Sequence, residues 1–344
     1  MIYRNIFIVL ISTFFLSFAD VRAQYVDDNI VVAQEGEGIY EILRRNELEP
    51  NVHHSPFILI NKEKLKGDTL LLPGSTYLLP EKIFTPIPAK AAPERPKSVI
   101  NPLFGRNYEK IPIIDNRLEG AVYYLVSGHG GPDPGAMGRY GSYMLSEDEY
   151  AYDVTLRLAR NLISHGATVY MIIQDNTNGI RDESILKLDR TETTISGQAL
   201  PLNQKDRLQQ RVDEVNKLFY KHQGAYQRLI AIHVDSRSQG QNIDVFFYHH
   251  DNSESGRKLA QEIHAVFSSK YDRHQPGRDY HGTVSSRSGL YMIRNTLPPI
   301  VYIELGNIKN YRDQLRFVIS DNRQALANWI ELGITNDFKK ASDR

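Results

Sequence analysis

Residues 121–138 read AVYYLVSGHGGPDPGAMG. An unbroken apolar run from Ala121 to Val126 predicts a buried strand, and the chain then enters a loop where glycines flank one histidine, His129. Glycine permits positive φ and close backbone approach, so the histidine could be incidental to a turn. It could also face an open site and coordinate a ligand. Strands and helices alternate beyond this point. Tyr152 to Ser164 has helical spacing of Val154, Leu158 and Leu162, and ATVYMII reads as a second strand. Gln204 to His222 predicts a helix, RLIAIHV and IDVFFYH two strands, and Ser253 to Tyr271 another helix. PPIVYIEL predicts the last strand and Asp321 to Leu332 the last helix. This order predicts an α/β fold, a mostly parallel sheet with helices on both faces. Asp175 to Asn203 lacks a pattern and reads as a long loop or insertion.

Ligands in open α/β sheets gather at the carboxyl ends of the strands. His129 follows the first strand, His233 ends RLIAIHV, and Glu304 ends PPIVYIEL. Three buried strands thus deliver metal-capable side chains to one edge. Two histidines and a carboxylate suit Zn2+ with an open position for water. A carboxylate near the first loop could complete the set. Glu147, Asp148 and Glu149 open the helix after that loop, although acids in a first turn also complement the helix dipole.

The chain outside this domain has its own signals. Its 41 basic and 41 acidic residues give no net charge, which offers no reason to expect a nucleic-acid partner. It has no cysteine, which excludes disulfides and thiolate metal sites. Arg4 precedes IFIVLISTFFLSFA, and Val21 and Ala23 occupy signal-peptidase positions, so residues 1–23 predict a signal peptide. A membrane anchor is the alternative, but the run is short and has no basic stop behind it. Export to the periplasm or cell envelope follows, the address being inferred from the substrate below. Residues 25–80 form a small α+β module. Gly36, Ile39, Ile42, Leu43, Asn61, Leu72, Gly74, Tyr77 and Pro80 make Ile30 to Pro80 resemble a LysM module. That resemblance implies binding to N-acetylglucosamine-containing glycan, and a structural cap is the alternative. Prolines 80, 86, 88, 93 and 96 predict a stiff linker over 81–118, leaving residues 119–336 as the second domain.

That second domain resembles a known family. GHGGPDPGA, the acidic helix start, IHVD and VYIELGNIKN, in that order, are similar to the zinc-dependent N-acetylmuramoyl-L-alanine amidases of peptidoglycan, the Amidase_3 type. The resemblance implies that His129 and His233 are zinc ligands and that Glu304, with Gly306 and Asn310, is the catalytic carboxylate. Arg211 and Asn216 match the family's "R…AN" on the preceding helix. Aligning VTLRLARNL puts the usual glutamate position on Ala151; Glu147, one turn earlier, is the chosen third ligand and Glu149 the alternative. Departures are Val126-Ser127 for "D-P", Ala231 and Asp235 for the Ser and Asn of "S-I-H-A-N", and Asn307 for a Phe. These bear on ligand orientation. Arg287 and Arg294 could bind substrate carboxylates, or form ordinary surface ion pairs. The implied function is zinc-assisted cleavage of the bond between N-acetylmuramic acid and L-alanine, with peptidoglycan glycan strands and stem peptides as partners and room for a protein activator. A non-catalytic peptidoglycan-binding or regulatory protein, and a zinc peptidase of the stem peptide, are the alternatives.

Overall fold

A computed structural model describes residues 29–48, 50–65, 70–80, 98–236 and 242–343. Residues 1–23, expected to be a signal peptide, and the proline-rich residues 81–97 lie outside the described residues.

The larger domain is built on a six-stranded sheet. Its strands are β1 (Ala121–Ser127), β2 (Thr168–Met171), β3 (Tyr226–Asp235), β4 (Phe246–His249), β5 (Val284–Ser286) and β6 (Ile300–Asn307), in spatial order β5-β4-β6-β3-β1-β2. Only the β4–β6 pairing is antiparallel within this sheet. All seven residues of β1 are buried, as its apolar sequence requires of a central strand covered on both faces.

The helices are α1 (Glu147–Ser164), α2 (Gln204–Lys221), α3 (Glu254–His274), α4 (Tyr291–Asn295), α5 (Tyr311–Val318) and α6 (Ser320–Ser342). Strand alternation sorts their partners. Tyr123, Leu125, Ile230, Ile232, Val301 and Ile303 share a core with α1, α3, α5 and α6. Val122, Tyr124, Val126, Leu229, Ala231 and Ile300 form the opposite core with α2 and α4. Helix α6 runs ten residues past Leu332, because Ile334 continues the buried stripe. The mostly parallel α/β fold expected from the sequence is therefore present.

One expectation needs correction. Residues 98–118 are packed structure rather than linker. Ser98–Ile100 pairs antiparallel with Lys110–Pro112, and Phe104, Ile111 and Leu118 are fully buried in the α1-side core. The proline count of the preceding stretch had masked these apolar anchors. The segment from Asp175 to Asn203 is the long loop expected, and it is packed against the domain. Thr193–Thr194 pairs with Ile173–Gln174, and Ile180 and Leu186 enter the core.

The N-terminal module has strand Ile30–Val32, helices Ile39–Arg45, Pro50–Ile60 and Lys62–Leu65, and strand Thr76–Leu78 paired antiparallel with the first. Its own core holds Ile42, Leu43, Phe57, Leu65 and Tyr77. Gly38 abuts α6 so closely that an added Cβ would lie 2.2 Å from Asp321, and Arg44 pairs with Asp182 at 2.8 Å.

One contact tests the packing of α6. A Cβ on Gly333 would lie 2.5 Å from the Ile263 Cα of α3. Gly333→Ala gains helix propensity of about 1 kcal/mol, but the backbones must part. A net destabilisation of roughly 1–2 kcal/mol is expected, read as a lower urea midpoint with an unchanged slope.

Candidate metal centre

Past Ser127 the chain reverses through its glycine loop. Gly130 and Asp133 exchange backbone hydrogen bonds at 2.8 and 3.3 Å, which closes the loop. His129 within it has φ 58°, a left-handed conformation that costs a non-glycine residue of order 1 kcal/mol. Side chains from α2 hold this strained residue in place. Arg211, buried, donates to the His129 carbonyl. Arg207 donates to Asp133 at 2.6 Å, and Asp133 in turn meets His129 Nδ1 at 3.0 Å. The Nε2 edge of the imidazole is left facing the end of the sheet.

Glu147 and His233 meet it there. Glu147 Oε2 lies 3.3 Å from His129 Nε2, and Glu147 Oε1 lies 2.9 Å from His233 Nδ1. The rings of His129 and His233 stand edge to face with centroids 5.3 Å apart. One ligand atom from each of the three residues falls within 4.8 Å of the others. Two imidazole nitrogens and one carboxylate oxygen form the donor set of a three-ligand zinc site. The glycines leave room for it. A Cβ on Gly128 would sit 2.4 Å from His233 Nδ1, and one on Gly135 would sit 2.7 Å from both Glu147 Oε2 and the His129 ring. They are therefore spacers for the imidazoles and the carboxylate as well as turn-makers.

Glu304 is brought beside this trio by register. It is directly opposite His233 in the parallel β3–β6 ladder, on the same face of the sheet as Tyr302. The Tyr302 ring stacks on His233 at 4.2 Å and 16°, fixing the plane of the imidazole. Glu149, the alternative to Glu147, points elsewhere and pairs with Arg181 at 2.7 Å. Arg287 is exposed and stands over the Tyr248 ring at 4.8 Å; burial pushes the Tyr302 hydroxyl pKa well up, and the Arg287 charge opposes this only in part. Arg294 contacts Tyr291 on its own helix, 5.9 Å from the ring centre, rather than the trio. Asn216 binds the Asn295 carbonyl and the Leu297 amide, tying α2 to the α4 segment.

The electrostatics of the three residues differ: burial would lower the His129 pKa, but the hydrogen bond with Asp133 and the charge of Glu147 outweigh it and hold that imidazole above its ordinary value. Burial alone would raise the Glu147 pKa, but the hydrogen bond from His233, the charge of both imidazoles and the Ala136 N–H outweigh it and hold the carboxyl below its ordinary value. Burial lowers the His233 pKa despite Glu147, favouring the neutral imidazole that binds metals. Burial also brings Arg211 down to about 10.

Sequence reasoning missed Asp133, Arg207 and Tyr302. Asp133, four residues after His129 in the same loop, carried a local signal as an orienting carboxylate. Arg207 and Tyr302 had none, since only the fold sets α2 behind the loop and β6 beside β3.

Gly128→Ala tests the spacer role. The added methyl must displace the His233 ring. The chain should keep its far-ultraviolet circular dichroism while its zinc affinity, followed by competition with a chromophoric chelator, falls tenfold or more.

Comparison with known proteins adds the family. The chain is 26% identical over 224 residues to the probable cell wall amidase LytH of Staphylococcus aureus, an alignment covering 64% of this chain and 59% of that protein. The chain thus spans somewhat under two thirds of the length of the curated relatives it matches. Among solved structures it is similar to the CwlD amidase of Clostridioides difficile, seen in complex with the GerS lipoprotein, with TM-score 0.48 and 21% identity over 64% of this chain and 98% of that one. It is also similar to the catalytic domain of CwlV, an N-acetylmuramoyl-L-alanine amidase from Bacillus (Paenibacillus) polymyxa var. colistinus, with TM-score 0.46 and 19% identity over 64% and 98%. The family model for N-acetylmuramoyl-L-alanine amidase, Amidase_3, matches residues 124–336, and the chain belongs to that family.

Proposed function

We propose that this chain is an exported, zinc-dependent N-acetylmuramoyl-L-alanine amidase acting on peptidoglycan in the periplasm or cell envelope. The observation that carries the reading is the convergence of His129, Glu147 and His233 within 4.8 Å, with Glu304 opposite His233 in the sheet. His129, Glu147 and His233 would hold the ion. Bound zinc supplies Lewis acidity, polarising the scissile carbonyl and acidifying water.

The chain's own groups do the rest. Asp133 fixes the His129 ring through Nδ1, and the Tyr302 ring fixes that of His233. The Glu304 carboxylate takes a proton from the attacking water and returns it to the amine nitrogen of the departing L-alanine. Arg287 and Arg294, which precede the last strand in sequence, would bind stem-peptide carboxylates. The N-terminal module, in this reading LysM-like, would engage glycan strands, and a protein activator is a further partner.

Two measurements test this. Glu304→Gln should retain one zinc per chain and lose at least a hundredfold in kcat, because only the proton shuttle is removed. Loss of zinc together with activity would place Glu304 among the ligands instead. Peptidoglycan digested with the mature protein should release peptides with new amino-terminal L-alanine and leave the glycan intact, and a chelator should stop the release. Cuts within the peptide would make it a stem-peptide peptidase. Sedimentation with the wall and no release would make it a binding protein.

A further inference from the structure

A second carboxylate group lies behind the metal centre and takes no part in the chemistry above. Asp148 and Glu149 follow Glu147 in the first turn of α1, and Glu192 reaches them from the 175–203 segment. All three are buried, at 1, 2 and 5% exposure, and one oxygen from each lies within 4.8 Å of the others. Among the described residues their one basic partner is Arg181, bonded to Glu149. Three carboxyl groups thus share one positive partner, and a carboxylate buried without a counter-charge is strongly disfavoured.

The individual oxygens identify where compensation is missing. Glu149 accepts from Arg181 at 2.7 Å and from the Asp189 amide at 2.8 Å. Glu192 accepts from the Gly131 amide at 2.8 Å, next to the strained metal loop. Asp148 Oδ1 takes the Glu149 amide, but its Oδ2 is buried and has no hydrogen-bond partner. The Ser146 hydroxyl lies near enough to favour the charged carboxyl, yet it too is buried without a hydrogen bond of ordinary geometry. The adjoining group of Asp175, Asp189 and Glu192 is different. Asp175 is saturated by Thr177, Asn178 and Thr191, and Asp189 by Asn178 and Thr191. The unmet demand is therefore at Asp148.

We propose that Asp148, Glu149 and Glu192 form a second divalent-cation site, distinct from the His129–Glu147–His233 centre and built for a hard, oxygen-seeking ion of the Ca2+ class. An all-carboxylate donor set favours such ions over zinc. A divalent ion would supply the counter-charge that Arg181 alone does not. The ion has a structural role: it joins the 175–203 segment to the first turn of α1 and, through Glu192 and Gly131, braces the loop that carries His129. This inference does not depend on the amidase reading.

Equilibrium dialysis of the zinc-loaded mature protein against radioactive Ca2+ tests it. One Ca2+ per chain is expected beyond the zinc, with the melting temperature rising by roughly 5–10 °C at a hundredfold excess over Kd. Asp148→Asn and Glu192→Gln should each weaken Ca2+ binding at least tenfold while zinc content, measured separately, stays at one. Asp175→Asn should leave Ca2+ binding unchanged. The proposal is overturned if the wild-type protein binds no Ca2+ at millimolar concentration and its melting temperature does not move, or if binding survives both substitutions. A zinc centre that fails to load leaves the Ca2+ measurement intact, so the two failures are distinguishable.

Discussion

The carboxylate of Glu147 joins three parts of the chain that are far apart in sequence. Its Oε1 receives His233 Nδ1 and the Val234 amide, and its Oε2 receives the Ala136 amide and faces His129 Nε2. The end of β3, the loop after β1 and the first turn of α1 thus meet at one buried, charged group. Charge-assisted hydrogen bonds of this kind are strong in a low-dielectric setting and costly to leave half made. The placement of both imidazoles follows from it. So does the need for Gly128 and Gly135, which keep side chains out of the space the trio fills.

The sheet supplies the rigidity that this meeting point needs. β3 lies between β1 and β6, and its pairing with both is parallel and buried, so all three strands end at the same edge. Slipping the β3–β6 register by one residue would turn Glu304 to the opposite face, away from His233. Tyr302, one pleat back, occupies the flat side of the His233 ring and excludes other rotamers. Support also comes from outside the sheet. Arg207 and Arg211 of α2 grip the glycine loop from behind, and Glu192 of the 175–203 segment binds its Gly131 amide. A loop with a histidine at φ 58° persists because its surroundings over-determine it.

The N-terminal module joins the same body. Its Gly38 turn sits against the start of α6 and its Arg44 reaches Asp182, on the segment that also carries Arg181 and Glu192. Among the described residues no helix is long and apolar enough to cross a membrane. The 175–203 segment thus touches both the module, through Asp182, and the glycine loop, through Glu192.

Much of this was legible in the residues themselves. The apolar runs of β1, β3 and β6, each ending in a polar side chain, announced a buried parallel sheet and the edge where His129, His233 and Glu304 would gather, because burial on both faces leaves few other readings for such runs. Local periodicity also located the four long helices and missed some of their ends, since α1 starts at Glu147 rather than Tyr152 and α6 extends to Ser342; the short α4 and α5 were not foreseen. Other features depended on tertiary structure alone. Glu147 and Glu149 are equivalent as first-turn acids, and only the position of β3 relative to the helix start gives the first to the histidines and the second to Arg181. The patternless 175–203 segment and the apolar anchors Phe104 and Ile111 found their places through contacts distant in sequence. Periodicity records which face of an element is buried; it carries no information about which distant side chain will stand opposite.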